Sequence, residues 1–191
     1  MTTAESHKIK VAAINVMLQH INELPIENLE DLNSVYEARV AEGILEEVTS
    51  DVLSEGWDFN TDKDWNFAPD TTGQINIPVN VLDVTADNNN VIMRNWSLYD
   101  REGKTFQFTE AQSCVVVWNV EFNALTHPLR KYINIRAARI FQIRMIGDRE
   151  GYGFSEKEEI EARNAAKISD DRTGGFSMRT TIETYLGRDT I

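Results

Sequence analysis

The chain has 191 residues, 41% of them hydrophobic and 26% charged, so wholesale disorder is excluded. Its 31 acidic residues against 19 basic ones leave a net charge of −12. That speaks against a coat for DNA or a binder of anionic membranes, which need a positive excess. The single cysteine, Cys114, excludes an internal disulfide framework and a cysteine-rich zinc site.

The first ten residues are polar and lack the apolar stretch of a signal peptide. The apolar run Val115–Trp118 is far too short to span a bilayer. The expected setting is a reducing, aqueous compartment. In chain order, the first 56 residues read as two helices. Val11, Ile14, Met17, Leu18, Ile21 and Leu24 follow a three-four spacing that Pro25 stops. Leu32, Tyr36, Val40, Ile44, Val48 and Val52 form a second stripe opposite a row of acids, with Asn28 or Asp31 as cap and Gly56 just beyond the end. From Trp57 to Phe122 the period changes to two. The pairs Trp65/Phe67, Ile75/Ile77, Val79/Val81, Val91/Met93, Phe106/Phe108 and Val115/Val117 predict five or six short, mostly antiparallel strands. Pro78 belongs at an edge or between strands, and Asn88-Asn89-Asn90 and Glu102-Gly103-Lys104 are turns.

Pro128 opens a third helix whose apolar residues fall on nearly every side, so it should be enclosed on most of them. A fourth helix runs from Ser155 to Asp171, with Ser155 and Glu158 as a capping box and Gly174-Gly175 as its stop. The last sixteen residues lack a helical stripe. Phe176, Met178, Ile182, Tyr185 and Leu186 make them too apolar for a free tail. The pattern predicts an α+β fold, in which helical parts at 8–56 and 127–174 flank a β-rich insertion at 57–122 and a C-terminal arm follows at 175–191.

Patterns that could carry chemistry are weak. Asp58-x-Asn60-x-Asp62-x-Asp64 starts like a calcium loop, but Lys63 stands where the loop needs glycine and Pro69 where it needs glutamate, so a solvated turn is the better reading. His7, His20 and His127 have no second ligand at metal spacing, and no phosphate loop or nucleophile elbow is present. No metal or cofactor is expected. Residues 129–150 hold six bases against two acids in an otherwise acidic chain. Arg130, Lys131, Arg136, Arg139 and Arg144 read first as partners of the acidic helices, and second as contacts to DNA phosphates. The many carboxylates leave a glycosidase pair open by counting alone.

One ordered set of motifs is more specific. Ser54-Glu55-Gly56-Trp57-Asp58-Phe59-Asn60 follows the second helix, and Pro69-Asp70 comes ten residues later. Leu98-Tyr99-Asp100-Arg101 closes a strand, and Lys131-Tyr132 leads through Ala137-Ala138-Arg139-Ile140-Phe141 to Gly147. In this order, over about residues 8–175, they resemble the tail tubular protein A family of short-tailed phages. The resemblance implies a virion protein with no catalytic motif. It implies a dodecameric adaptor or gatekeeper ring, made in the host cytoplasm, that docks under the portal, receives the tail nozzle (tail tubular protein B) on its other side, and lets DNA pass through its middle. On that reading the apolar tail makes the subunit or portal contact, and Trp96 and Tyr99 near a turn face the nozzle. The negative charge lets DNA slide past. The alternatives are a virion-associated glycan hydrolase and a DNA-binding module built on the basic helix at 130–149.

Overall fold

The computed structural model describes residues 3–147 and 154–173. Among them four helices and five strands follow one another as α1 (Thr3–His20), α2 (Tyr36–Leu53), β1 (Thr61–Phe67), β2 (Val81–Ala86), β3 (Val91–Arg94), β4 (Ser97–Asp100), β5 (Gln112–Trp118), α3 (His127–Ile146) and α4 (Glu156–Thr173). The fold is α+β. The chain divides into two compact units, Met1–Val52 with Glu121–Ile191, and Leu53–Val120.

In the helical unit α1 stops four residues short of the expected end. Asn22 takes a left-handed φ of 59°, its N–H donates to the Gln19 carbonyl and that of Glu23 to the Leu18 carbonyl. This paired closure satisfies the orphan carbonyls of a helix end, and asparagine is the residue after glycine that tolerates its geometry. Leu24, assigned to the buried stripe, is therefore exposed. The Asn15 side chain then pins the returning chain, bonding the Ile26 N–H (2.8 Å) and carbonyl (2.9 Å). Asn28 and Asp31 do form reciprocal cap bonds, but on a separate 3-10 turn, Leu29–Asn33, ahead of α2. The second stripe is buried at Leu32, Ile44, Val48 and Val52 as expected, joined by Ala41 and Leu45, but Tyr36 is exposed under the Arg39 guanidinium and Val40 is half-buried.

α3 is the centre of this unit and packs on both α1 and α4. Pro128 lies in its first turn, and Gly147 ends it at φ 72°. Leu129, Tyr132, Ile133, Ala138 and Phe141 are buried, each large side chain contributing roughly 1.5–3 kcal/mol of transfer free energy. The last turn departs from the expected enclosure, because Ile143 and Ile146 face out. α4 begins as its sequence predicts: the Ser155 hydroxyl accepts from the Glu158 N–H, and the Glu158 carboxylate accepts from the Ser155 N–H and hydroxyl.

The β unit holds an antiparallel three-stranded sheet in the order β1-β5-β2 and a separate hairpin, β3-β4. Its core joins Phe67, Ile75, Val81, Val91, Leu98 and Val116. Two predicted strands are absent. Residues 75–77 and 106–108 make only isolated bridges, Gln74 to Gln107 and Asn76 to Ser97. Their alternating apolar residues still point into the core, but turns on both sides keep them too short for a ladder. On edge strand β1 a register shift falls between Asp62 and Trp65, where Asp64 has φ 57°. A bulge and alternating charges there blunt the edge against further pairing. Cys114 is fully buried on β5, and burial pushes its thiol up to about 11. It is a small core residue, not a nucleophile.

Candidate functional site

The motif residues that stand out in the sequence are used by the fold itself. Asn60, third in the calcium-like pattern, is buried. Its oxygen accepts from the Trp57 N–H (3.0 Å), and its amide donates to the Leu53 (3.0 Å) and Trp118 (2.7 Å) carbonyls. Asp62 of the same pattern accepts from the Trp118 indole at 2.8 Å. Asp70 accepts from the Thr72 hydroxyl and N–H and from the Gln74 N–H, which hold its carboxyl below the usual range and close the turn at Gly73. Asp100 accepts from the Glu102 N–H. Gly103 fits beside it because a Cβ there would lie 2.7 Å from the Asp100 carboxylate. These side chains fold turns, and each does so with the acceptors that a metal would need.

The arginines of α3 are held by partners within the helical unit. Arg144 meets Glu47 through two 2.7 Å hydrogen bonds, which hold the Glu47 carboxyl below its usual range. Arg139 pairs with Glu159; Arg136 also lies 3.7 Å from Glu159 and donates to the Tyr132 hydroxyl. Arg130 donates to the Asn123 carbonyl. Lys131 is exposed, and its charge is one of those holding Glu158 low. On the α1 side, Lys10 joins Glu42 and Glu46 of α2. Exposed pairs such as Arg144–Glu47 are screened by water and add little stability, but they neutralise a segment that reads as basic in the sequence.

The three carboxyls displaced among the described residues, Glu47, Asp70 and Glu158, are all displaced downward. A general acid working near neutrality needs the opposite shift. Among the described residues no cluster of three metal-ligating side chains occurs, and no helix is long and apolar enough to cross a membrane.

His20, in the last turn of α1, meets Phe154 edge-on at 4.9 Å, and its Nδ1 is buried without a partner. Burial lowers its proton affinity below the ordinary 6.5, against the pull of the Glu158 charge. The unfolded chain therefore binds the proton first. Stability is expected to fall as pH drops below 6.5 towards the depressed native value, and not to change through His20 above it. Urea midpoints of wild type and His20→Leu between pH 7.5 and pH 5.5 test this. The wild type loses stability across the window, and the variant loses less.

What remains for recognition is surface. In the helical unit Ile143 and Ile146 at the end of α3, and Ile160 and Ile168 on α4, are exposed. Ile160 and Ile168 stand eight residues apart, so they share one face. That spacing on an otherwise polar helix was the available signal, and sequence reasoning passed over it. In the β unit, Trp96 is exposed at the tip of the β3-β4 hairpin, where Asn95 (φ 52°) and Trp96 (φ 59°) make a two-residue turn. Tyr99 lies lower on the hairpin, between the Arg94 guanidinium (4.2 Å) and the Phe106 ring (4.8 Å). Val79, which the sequence places in a strand, is the most exposed apolar residue of the unit. Phe176, Met178, Ile182, Tyr185 and Leu186 lie outside the described residues.

A search of curated proteins gives no match. A family model described as "Tail tubular protein" matches residues 11–176 and so covers the second half of α1, all of α2, α3 and α4, and the five strands. With most of its length matched, the chain belongs to the tail tubular protein family and is a structural component of the phage virion tail.

Proposed function

We propose that the chain is the subunit of an adaptor ring that joins the portal to the tail nozzle and lines the channel through which double-stranded DNA leaves. The observation that carries this reading is the division of the helical surface. The arginines of α3 are held by acids and carbonyls of the same unit, while Ile143 and Ile146 at the end of α3 and Ile160 and Ile168 of α4 are left uncovered. Such helices suit a protein neighbour better than a phosphate backbone, since DNA contact needs free cations and exposed apolar side chains gain from burial. The ring closes through these isoleucines, with twelve subunits as the family resemblance implies. Residues 57–122 act as the inserted module. The arm at 175–191 makes the subunit or portal contact through Phe176, Met178, Ile182, Tyr185 and Leu186. Trp96, supported by Tyr99, faces the nozzle. A net charge of −12 repels DNA from the walls and lets it pass.

Gradient sedimentation of the chain with portal rings from the same phage tests the reading. Co-migration with the portal is the expected result, together with no reducing sugar released from a panel of glycans. A chain that ignores the portal, or that cleaves a glycan through one acid pair, overturns it.

A further inference from the structure

Two segments of the β unit run side by side at one end. The Ile77 N–H donates to the Trp96 carbonyl (2.8 Å), the Leu98 N–H donates to the Ile75 carbonyl (2.9 Å), and the Ser97 hydroxyl donates to Asn76 (2.9 Å). The chain leaving Ile77 turns at Pro78, whose carbonyl accepts from the Val81 N–H at 3.1 Å. Val79, 87% exposed, caps that turn, and Trp96, 52% exposed, caps the adjoining hairpin.

Two further observations set this end apart. Residues 71–82 contain no Asp, Glu, Lys or Arg, although charged residues make up 26% of the chain. This uncharged segment lies beside an exposed aromatic, a combination found in the centre of interfaces, while the exposed Arg94 of the same hairpin is engaged over the Tyr99 ring at 4.2 Å. Trp96 also occupies a left-handed position, φ 59°, in a turn that favours glycine, where a bulky side chain is strained. Folding alone would favour glycine there.

We propose that Val79 and Trp96 form one two-pronged apolar plug that seats in an uncharged, apolar pocket repeated around the nozzle ring. This rests on the nozzle-facing reading of Trp96 and adds its second prong and the chemistry of the socket. The plug is too small to hold two copies of this chain together: one tryptophan and one valine bury roughly 300 Å² of the 1,200 Å² or more that a stable pair needs. A single plug binds weakly, and the ring supplies strength by engaging many at once.

The test uses chain assembled on portal rings, then mixed with nozzle rings and sedimented. Val79→Asp and Trp96→Asp are expected to retain portal binding and to weaken nozzle capture by about tenfold or more. Trp96→Gly is expected to raise the melting temperature and still lose capture, which separates binding from folding. Wild-type capture is expected to change little between about 0.05 and 0.5 M salt, since no charge pair carries it. If the wild type does not capture the nozzle, the nozzle reading itself fails. If the wild type captures it and both aspartate variants do so equally well, the plug is wrong and the nozzle reading stands. Loss of contact between copies of the chain, with nozzle capture intact, also overturns the plug, because its occupant is then a second copy.

Discussion

Asn60→Ala is expected to lower stability by about 3 kcal/mol, out of a total that for domains of this size is about 5–15 kcal/mol. The side chain is buried, and its oxygen and both amide hydrogens are used, on the Trp57 N–H and on the Leu53 and Trp118 carbonyls. Truncation removes three hydrogen bonds in a buried site, leaving the Leu53 carbonyl with only the Gly56 N–H, and each loss costs about 1 kcal/mol. Asn60→Asp should be worse at pH 7, since it sets a carboxylate against two carbonyl oxygens. It should recover in part on acidification, when the protonated acid can donate again. Urea denaturation followed by tryptophan fluorescence measures this, with Trp57 and Trp118 as probes at the site itself. The midpoint should fall with little change in slope. A loss under about 1 kcal/mol would mean that water replaces the amide.

Phe141→Ala and Ile143→Lys, two residues apart on α3, are expected to separate folding from assembly. Phe141 is fully buried, so its truncation leaves a cavity and costs about 3–5 kcal/mol. Ile143 is 38% exposed in the last turn, where a lysine is favoured by the helix dipole and a surface change costs within about 0.5 kcal/mol. Phe141→Ala should therefore lower the melting temperature by several degrees. Ile143→Lys should melt as wild type does and fail to close the ring on the portal. If Ile143→Lys assembles normally, the α3 end is not a subunit contact, and Ile160 and Ile168 of α4 become the surface to change next.

The fold was legible where a signal is local. The Ser155–Glu158 capping box, Pro128 at the start of α3 and the left-handed Gly56 follow from short-range chemistry that three or four residues specify. The end of α1 was misplaced because Pro25 is a strong stop, yet the chain had already turned at Asn22, whose paired closure depends on backbone geometry that no residue type dictates. The strands at 75–77 and 106–108 were overcounted because alternation records which side chains point inward, whereas a ladder also needs a partner of sufficient length. The basic segment shows the limit for function. Sequence gives the sign of each charge but not its partner, and Glu47 lies 97 residues from Arg144 in the chain. Val79 and Trp96 belong together only through the pairing of residues 75–77 with 96–98, so no inspection of either segment alone would join them.

The most direct measurement is electron microscopy of the chain mixed with portal rings and nozzle rings from the same phage, with the mass of the complex determined in parallel. A closed ring of this chain seated between portal and nozzle, with an open central channel, is the predicted result. A portal that binds the nozzle without it, or a mixture in which the chain stays apart from both, would contradict the account.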